Sequence, residues 1–168
     1  MPRMELPHTA GCLVCGRENP HGLHLSLHVD SDTGVVTADF VPLPQHIGFE
    51  GIIHGGVLAT VLDEAMVWAA TWAGRRFCVC GELNCRFRQS AAVGVPLRVQ
   101  ASVESVRSRL IETTGSIIDS AGAIYTSATG KYVPVPPRRN AHVVGTLVPE
   151  TAVERALGIL QAAARASG

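Results

Sequence analysis

The chain has 168 residues, 46% hydrophobic and 17% charged, which fits one folded domain with a substantial core and excludes a disordered chain. Fourteen basic residues balance fourteen acidic ones without forming a cationic block, which argues against a nucleic-acid binder. The first residues lack the apolar core of a secretion signal and no 18-residue apolar span occurs, so the expectation is a cytoplasmic protein with no membrane partner.

The first feature along the chain is "CLVC" at 12–15, one pair among five cysteines that read as thiols rather than a disulfide framework. With His21 and His24 it completes a Cys-x2-Cys-x5-His-x2-His string, whose residue types suit zinc. The spacing between the pairs is shorter than in a typical finger and His24 falls on a predicted strand. The block is therefore read as a structural loop, with no metal.

Residues 22–30, "GLHLSLHVD", place Leu23, Leu25, Leu27 and Val29 on one face, the period-two pattern of a half-buried strand. A turn at "DSDTG" leads to a hairpin partner, "VVTADFV", and "PLPQHIGFEG" reads as a loop by its Pro and Gly content. From about Gly56 to Ala73, Leu58, Val61, Leu62, Ala65, Met66 and Ala69 recur at helical spacing, with Gly74 placed to end the helix. The run is apolar nearly all round, so this helix is expected to be buried on most sides.

Four strand-like segments follow, 78–89, 95–106, 109–119 and 123–135, joined by short turns that suit antiparallel neighbours. In the first, Val79, Gly81, Leu83, Cys85 and Phe87 are expected on one face, with Glu82, Asn84, Arg86 and Arg88 on the other. After "PVPPRRN" strand character is lost, and Thr151 and Glu154 form a candidate capping box for a short helix through about Ala164. The expected organisation is an N-terminal loop segment (1–21), an α+β domain (22–135) whose antiparallel sheet curls around one long helix, and a C-terminal extension (136–168).

The chemistry concentrates in "GIIHGGVLATVLDEAM". Gly55 and Gly56 at a helix start let backbone N–H groups face a ligand unobstructed, and the helix dipole adds positive potential there. That arrangement suits a carbonyl oxygen that turns negative in a transition state. Two adjacent acids, Asp63 and Glu64, sit in an apolar run where burying them is costly. Gly55 and Asp63 are eight residues apart, about 12 Å along a helix, whereas reacting groups meet within about 3–3.5 Å. One copy can hardly present both to one carbonyl carbon; two antiparallel copies can.

This motif resembles the helix start of hotdog-fold acyl-CoA thioesterases of the 4-hydroxybenzoyl-CoA and phenylacetate-pathway type. The likeness extends to "CLVCGRENPHGLHL" and "GELNCRFRQSAAVGVPL" and covers roughly residues 11–133. It implies a hotdog fold, an acyl-CoA substrate, and a homodimer or homotetramer. It implies no cofactor beyond the coenzyme A of the substrate. It also implies that Gly55 polarises the thioester carbonyl and that Asp63 acts as general base or nucleophile.

Glu64, about 100° around the helix, cannot share that role; it is carried as a substrate contact against a salt-bridge or loop-capping role. The sequence departs from the resemblance at Gly48, where many relatives have Asn or Gln, so His46 or Gln45 is the expected replacement. It departs again at Cys80, where a Ser or Thr often assists, and at Ser90, where a proline is usual. His54 is read as orienting the loop or touching substrate. Asn84, Arg86 and Arg88 are the expected contacts for coenzyme A. The alternative reading is a non-catalytic acyl-CoA or acyl-carrier binding module on the same fold.

Overall fold

The computed structural model describes residues 3–167; the first two residues of the expected N-terminal segment and the last of the C-terminal extension lie outside them. Strand β1 (Arg3–Glu5) falls where a loop was expected. Its backbone finds a ladder in β2 (His28–Asp30), with buried Met4 opposite buried Val29. β2 is only the last third of the predicted strand 22–30. Leu25, Leu27 and Val29 do face the core, but the Leu23 and Leu25 N–H groups donate to the Leu13 and Val14 carbonyls instead of to a sheet neighbour. β3 (Val36–Phe40) is the hairpin partner expected. The loop at 42–51 contains a 3-10 turn (Pro44–His46) and most of a short ribbon, β4 (Ile47–Phe49) with β5 (Ile52–Ile53).

Helix α1 (Gly55–Gly74) buries the six periodic residues predicted, and also Trp68, Ala70, Thr71 and Trp72. It does not end on a glycine cap. Arg75 takes the left-handed position (φ 53) and lays its guanidinium 4.1 Å from the Trp72 ring centroid. Gly74 serves packing instead, since a Cβ there would stand 2.7 Å from Ile111 Cδ1.

β6 (Cys78–Phe87), β7 (Leu97–Arg107), β8 (Leu110–Ile118) and β9 (Ile124–Pro134) lie close to their predicted bounds. The result is a seven-stranded antiparallel sheet, ordered β1-β2-β3-β7-β8-β9-β6, with α1 packed across β3 and β6 to β9. Gly115 and Gly130 make the close approach possible: a Cβ at either would lie 2.9–3.0 Å from Met66.

The face assignment on β6 is corrected. Pairing with β9 shifts register between Cys80 and Glu82, leaving Gly81 as a bulge, and one extra residue reverses which side chains point inward. Cys78 and Cys80 therefore share the inner side with Leu83, Cys85 and Phe87, and Val79 does not.

The tail holds a helix the sequence reading missed, α2 (Pro137–Gly145). Proline fits the first turn, where its missing N–H is not needed, and buried Asn140 accepts the Phe77 N–H at 2.8 Å. The candidate capping box does not form: Thr151 lies in a 3-10 turn (Thr151–Val153), and α3 (Glu154–Ala166) starts at Val153 with no side-chain cap. Arg17 reaches both Glu5 (2.6 Å) and Glu150 (2.5 Å), tying the N-terminal loop to this tail. No described helix is long and apolar enough to cross a membrane.

Candidate active site

His54 caps α1. Its backbone is extended (φ −60, ψ 131), and its ring Nδ1 accepts the Gly56 N–H at 2.9 Å. Its carbonyl accepts the Val57 N–H at 2.9 Å. Gly56 is thus committed to the cap, and its N–H is withdrawn from the substrate role expected of it. The Gly55 N–H has no acceptor among the described residues and sits at the positive end of a 20-residue helix. Phe87 lies against it; a Cβ at Gly55 would be 3.3 Å from the ring. A cleft of about 260 Å³ opens here, lined by Ile52, Gly55, Leu58, Phe87, Arg88 and Ser90 among others.

His46 braces this loop. Its Nδ1 accepts the Leu43 N–H at 3.1 Å, its carbonyl accepts the His54 N–H at 2.9 Å, and burial lowers its pKa. Gln45 is exposed, with no side-chain hydrogen bond among the described residues. Gly48 sits against His54, where a Cβ would make an ordinary 3.4 Å contact.

Asp63 lies just over two turns along α1. Its Oδ1 accepts the Tyr132 hydroxyl at 2.8 Å. Tyr132 is fully buried, and burial, then the Asp63 charge, push its pKa up, so the phenol keeps its proton and remains a donor. Cys80 and Cys85 flank the carboxylate, and both thiols are raised by burial and then by Asp63. The bulge at Gly81 is what puts Cys80 there. Tyr132 was not singled out from sequence; its signal was its place on the inward face of a predicted strand, in step with Ala128 and Gly130.

Glu64 is turned towards the N-terminal loop, away from Asp63's partners Tyr132, Cys80 and Cys85. Its Oε1 accepts the Trp68 Nε1–H at 3.1 Å and stands 3.9 Å from Cys12 Sγ. Burial, then the Cys12 charge, push its pKa up to about 7. A hydrogen bond from Cys15 holds Cys12 down to about 5, and Cys15 is raised in turn.

Asn84, Arg86 and Arg88 do share one face, in a shallow basin with Thr114, Ser127 and Thr129. Arg88 Nε donates to Ser127 Oγ at 3.3 Å, and Arg86 has no partner among the described residues. Lys131 is engaged with Glu82 at 3.1 Å. β6 is the last strand of the sheet, and its outer edge has no partner among the described residues.

The thioesterase superfamily profile matches residues 50–130. No curated protein matches the chain. Among solved structures, a thioesterase superfamily protein is similar at 30% identity and TM-score 0.68, over 73% of this chain and 62% of its own. The chain thus spans less than two thirds of that relative. The E. coli PaaI protein from the phenylacetic acid degradation operon aligns at 18% identity and TM-score 0.62, over 67% of this chain and 80% of its own. A Streptococcus mutans protein, solved bound to acetyl CoA, aligns at 14% identity and TM-score 0.61, over 66% and 88%. These last two likenesses concern the fold. With the profile on the helix and its strands, and with the antiparallel sheet packed on one long helix, the chain has the hotdog fold and is similar to the thioesterase superfamily over residues 50–130.

Proposed function

We propose that the chain hydrolyses an acyl-CoA thioester to a carboxylic acid and free coenzyme A, at a site shared by two copies. The observation that carries this reading is the pairing of an uncommitted Gly55 N–H at the start of α1 with a Tyr132-anchored Asp63 on the same helix. Asp63 takes a proton from water as the oxygen attacks the carbonyl carbon and passes it to the departing sulfur, or attacks directly to form a mixed anhydride that water then hydrolyses to the free acid. The oxyanion is met by the Gly55 N–H and the helix dipole. Collapse expels the coenzyme A sulfur, which leaves as the thiol once protonated. His54 holds the loop as cap, His46 braces it through its backbone, and Gln45 is the free polar side chain nearby. No metal or redox cofactor enters these steps.

The free edge of β6 supports the two-copy arrangement. A ten-residue strand whose outer edge has no partner among the described residues, with Val79 50% and Phe87 53% exposed, is a ready pairing surface. Antiparallel pairing of two such edges about Leu83 and Asn84 sets the Phe87 end of one against the Cys80 end of the other. Phe87 contacts Gly55 and Cys80 neighbours Asp63, so that pairing brings the donor of one copy towards the base of the other. Homodimers and homotetramers both allow it. Arg86, Arg88 and Asn84 are the proposed contacts for the coenzyme A phosphates.

The test is release of free thiol from a panel of acyl-CoAs. Asp63→Ala is expected to lower kcat by about 10²–10⁴-fold, the range of a lost general base. Coenzyme A binding without turnover on any acyl chain would instead establish the non-catalytic binding module, the reading that Gly48 and Cys80 motivate.

A further inference from the structure

The turn at residues 12–16 plays no part in the hydrolysis proposed above, yet it is tightly built. The Gly16 N–H donates to the Cys12 carbonyl at 3.0 Å, and the Val14 N–H points at Cys12 Sγ from 3.4 Å. A Cβ on Gly16 would stand 2.4 Å from the Cys12 nitrogen and 2.5 Å from the Ala10 carbonyl oxygen, so glycine alone closes the turn. Both thiols are thereby turned towards α1, where Glu64 faces them. Cys12 Sγ, Cys15 Sγ and a Glu64 carboxylate oxygen lie within 4.8 Å of one another. This carboxylate is partly buried, and no Lys, Arg or His pairs with it among the described residues.

We propose that Cys12, Cys15 and Glu64 hold a zinc ion that fastens the N-terminal loop to the central helix. Bond lengths of about 2.3 Å to sulfur and about 2.0–2.2 Å to oxygen place tetrahedral donors about 3.4–3.8 Å apart. The 3.9 Å between Cys12 and Glu64 is already close to that, and the 4.8 Å bound on the set requires side-chain movements of about 1 Å at most. Two sulfurs favour zinc over magnesium or calcium, which prefer all-oxygen sets. Both sulfurs bind as thiolates, any proton they still carry leaving to solvent, and the dication offsets two of the three negative charges. Partly exposed Cys12 leaves water a route to the fourth position.

This ligand set is not the Cys-x2-Cys-x5-His-x2-His string of the sequence. His21 is exposed, and His24, on a left-handed backbone (φ 52), is bonded to the Asn19 carbonyl at 2.5 Å. Glu64 replaces both. The proposal goes beyond the thioesterase reading, and its readouts do not depend on turnover.

The full chain, reduced and stripped with a chelator, is titrated with Co²⁺. One equivalent is expected to bind, with a thiolate-to-cobalt band in the near ultraviolet and tetrahedral visible bands that Zn²⁺ abolishes. In the unaltered chain, Zn²⁺ is expected to shield Cys12 and Cys15 from alkylation while leaving Cys80 reactive, as read by peptide mass. Cys12→Ser with Cys15→Ser removes the bands, Glu64→Gln weakens zinc binding at least about tenfold, and Cys85→Ser leaves it unchanged. No uptake or shielding by the reduced chain overturns the site, as does uptake unchanged in the double serine or Glu64→Gln variant. A Cys12–Cys15 disulfide in the purified chain, with no uptake after reduction, overturns it in favour of a redox pair.

Discussion

The Tyr132 hydroxyl meets Asp63 Oδ1 at 2.8 Å from a side chain with no exposed surface. A neutral donor raised by burial cannot take over the charge, so it fixes the carboxylate without sharing its role. Tyr132→Phe keeps the ring and its packing and removes one hydrogen bond to a charged group, a loss of about 1.5–3 kcal/mol. Freed of that anchor, Asp63 spends less time aimed at its target. The expected outcome is a kcat lower by about tenfold with KM changed little, and a measurably lower Tm. Steady-state thiol release and thermal unfolding check it. Unchanged kcat with lowered Tm would make Tyr132 a packing residue only.

At the scale of the element, α1 is a helix whose start leaves one donor free. Gly55→Pro tests that donor with little disturbance, because proline fits the first helical position and His54 already has the extended backbone that a following proline requires. The added atoms press on Phe87 at 3.3 Å, a contact the ring relieves by a small shift. Circular dichroism is expected to show α1 intact while kcat falls about 10²–10³-fold, the effect of losing an oxyanion donor. α1 and the strands beside it were legible because periodicity reports burial directly. β1 and α2 were not: three residues carry no period, and prolines with arginines read as a break. The inward turn of Cys80 depends on a bulge, and the bond between Glu64 and Trp68 faces a loop arriving from 52 residues away in sequence. Local pattern carries neither. Asp63 was singled out by the resemblance, as the acid nine residues after His54, but nothing local pointed to its hydrogen bond with Tyr132 on β9.

For the whole molecule, the open edge of β6 and the exposed Phe49 (69%) and Ile47 (46%) leave apolar surface near the start of α1 that a lone chain does not cover. The separation of Gly55 from Asp63 along one helix turns this into a functional statement: in the proposed mechanism each reaction centre takes one group from each copy. If so, two dead variants can repair one another. Asp63→Ala retains its Gly55 donor, and Gly55→Pro retains its Asp63 base. A mixed dimer rebuilds one complete centre and leaves the other doubly defective. Random exchange makes half the dimers mixed, with one working centre in two, so activity is expected to return to about a quarter of wild type. The measurement mixes equal amounts of the two variants under conditions that allow subunit exchange and follows thiol release. A centre contained within one chain predicts no recovery at any ratio. Recovery that also disappears on dilution, in step with loss of the dimer by sedimentation, ties the chemistry to the pairing of the two edges.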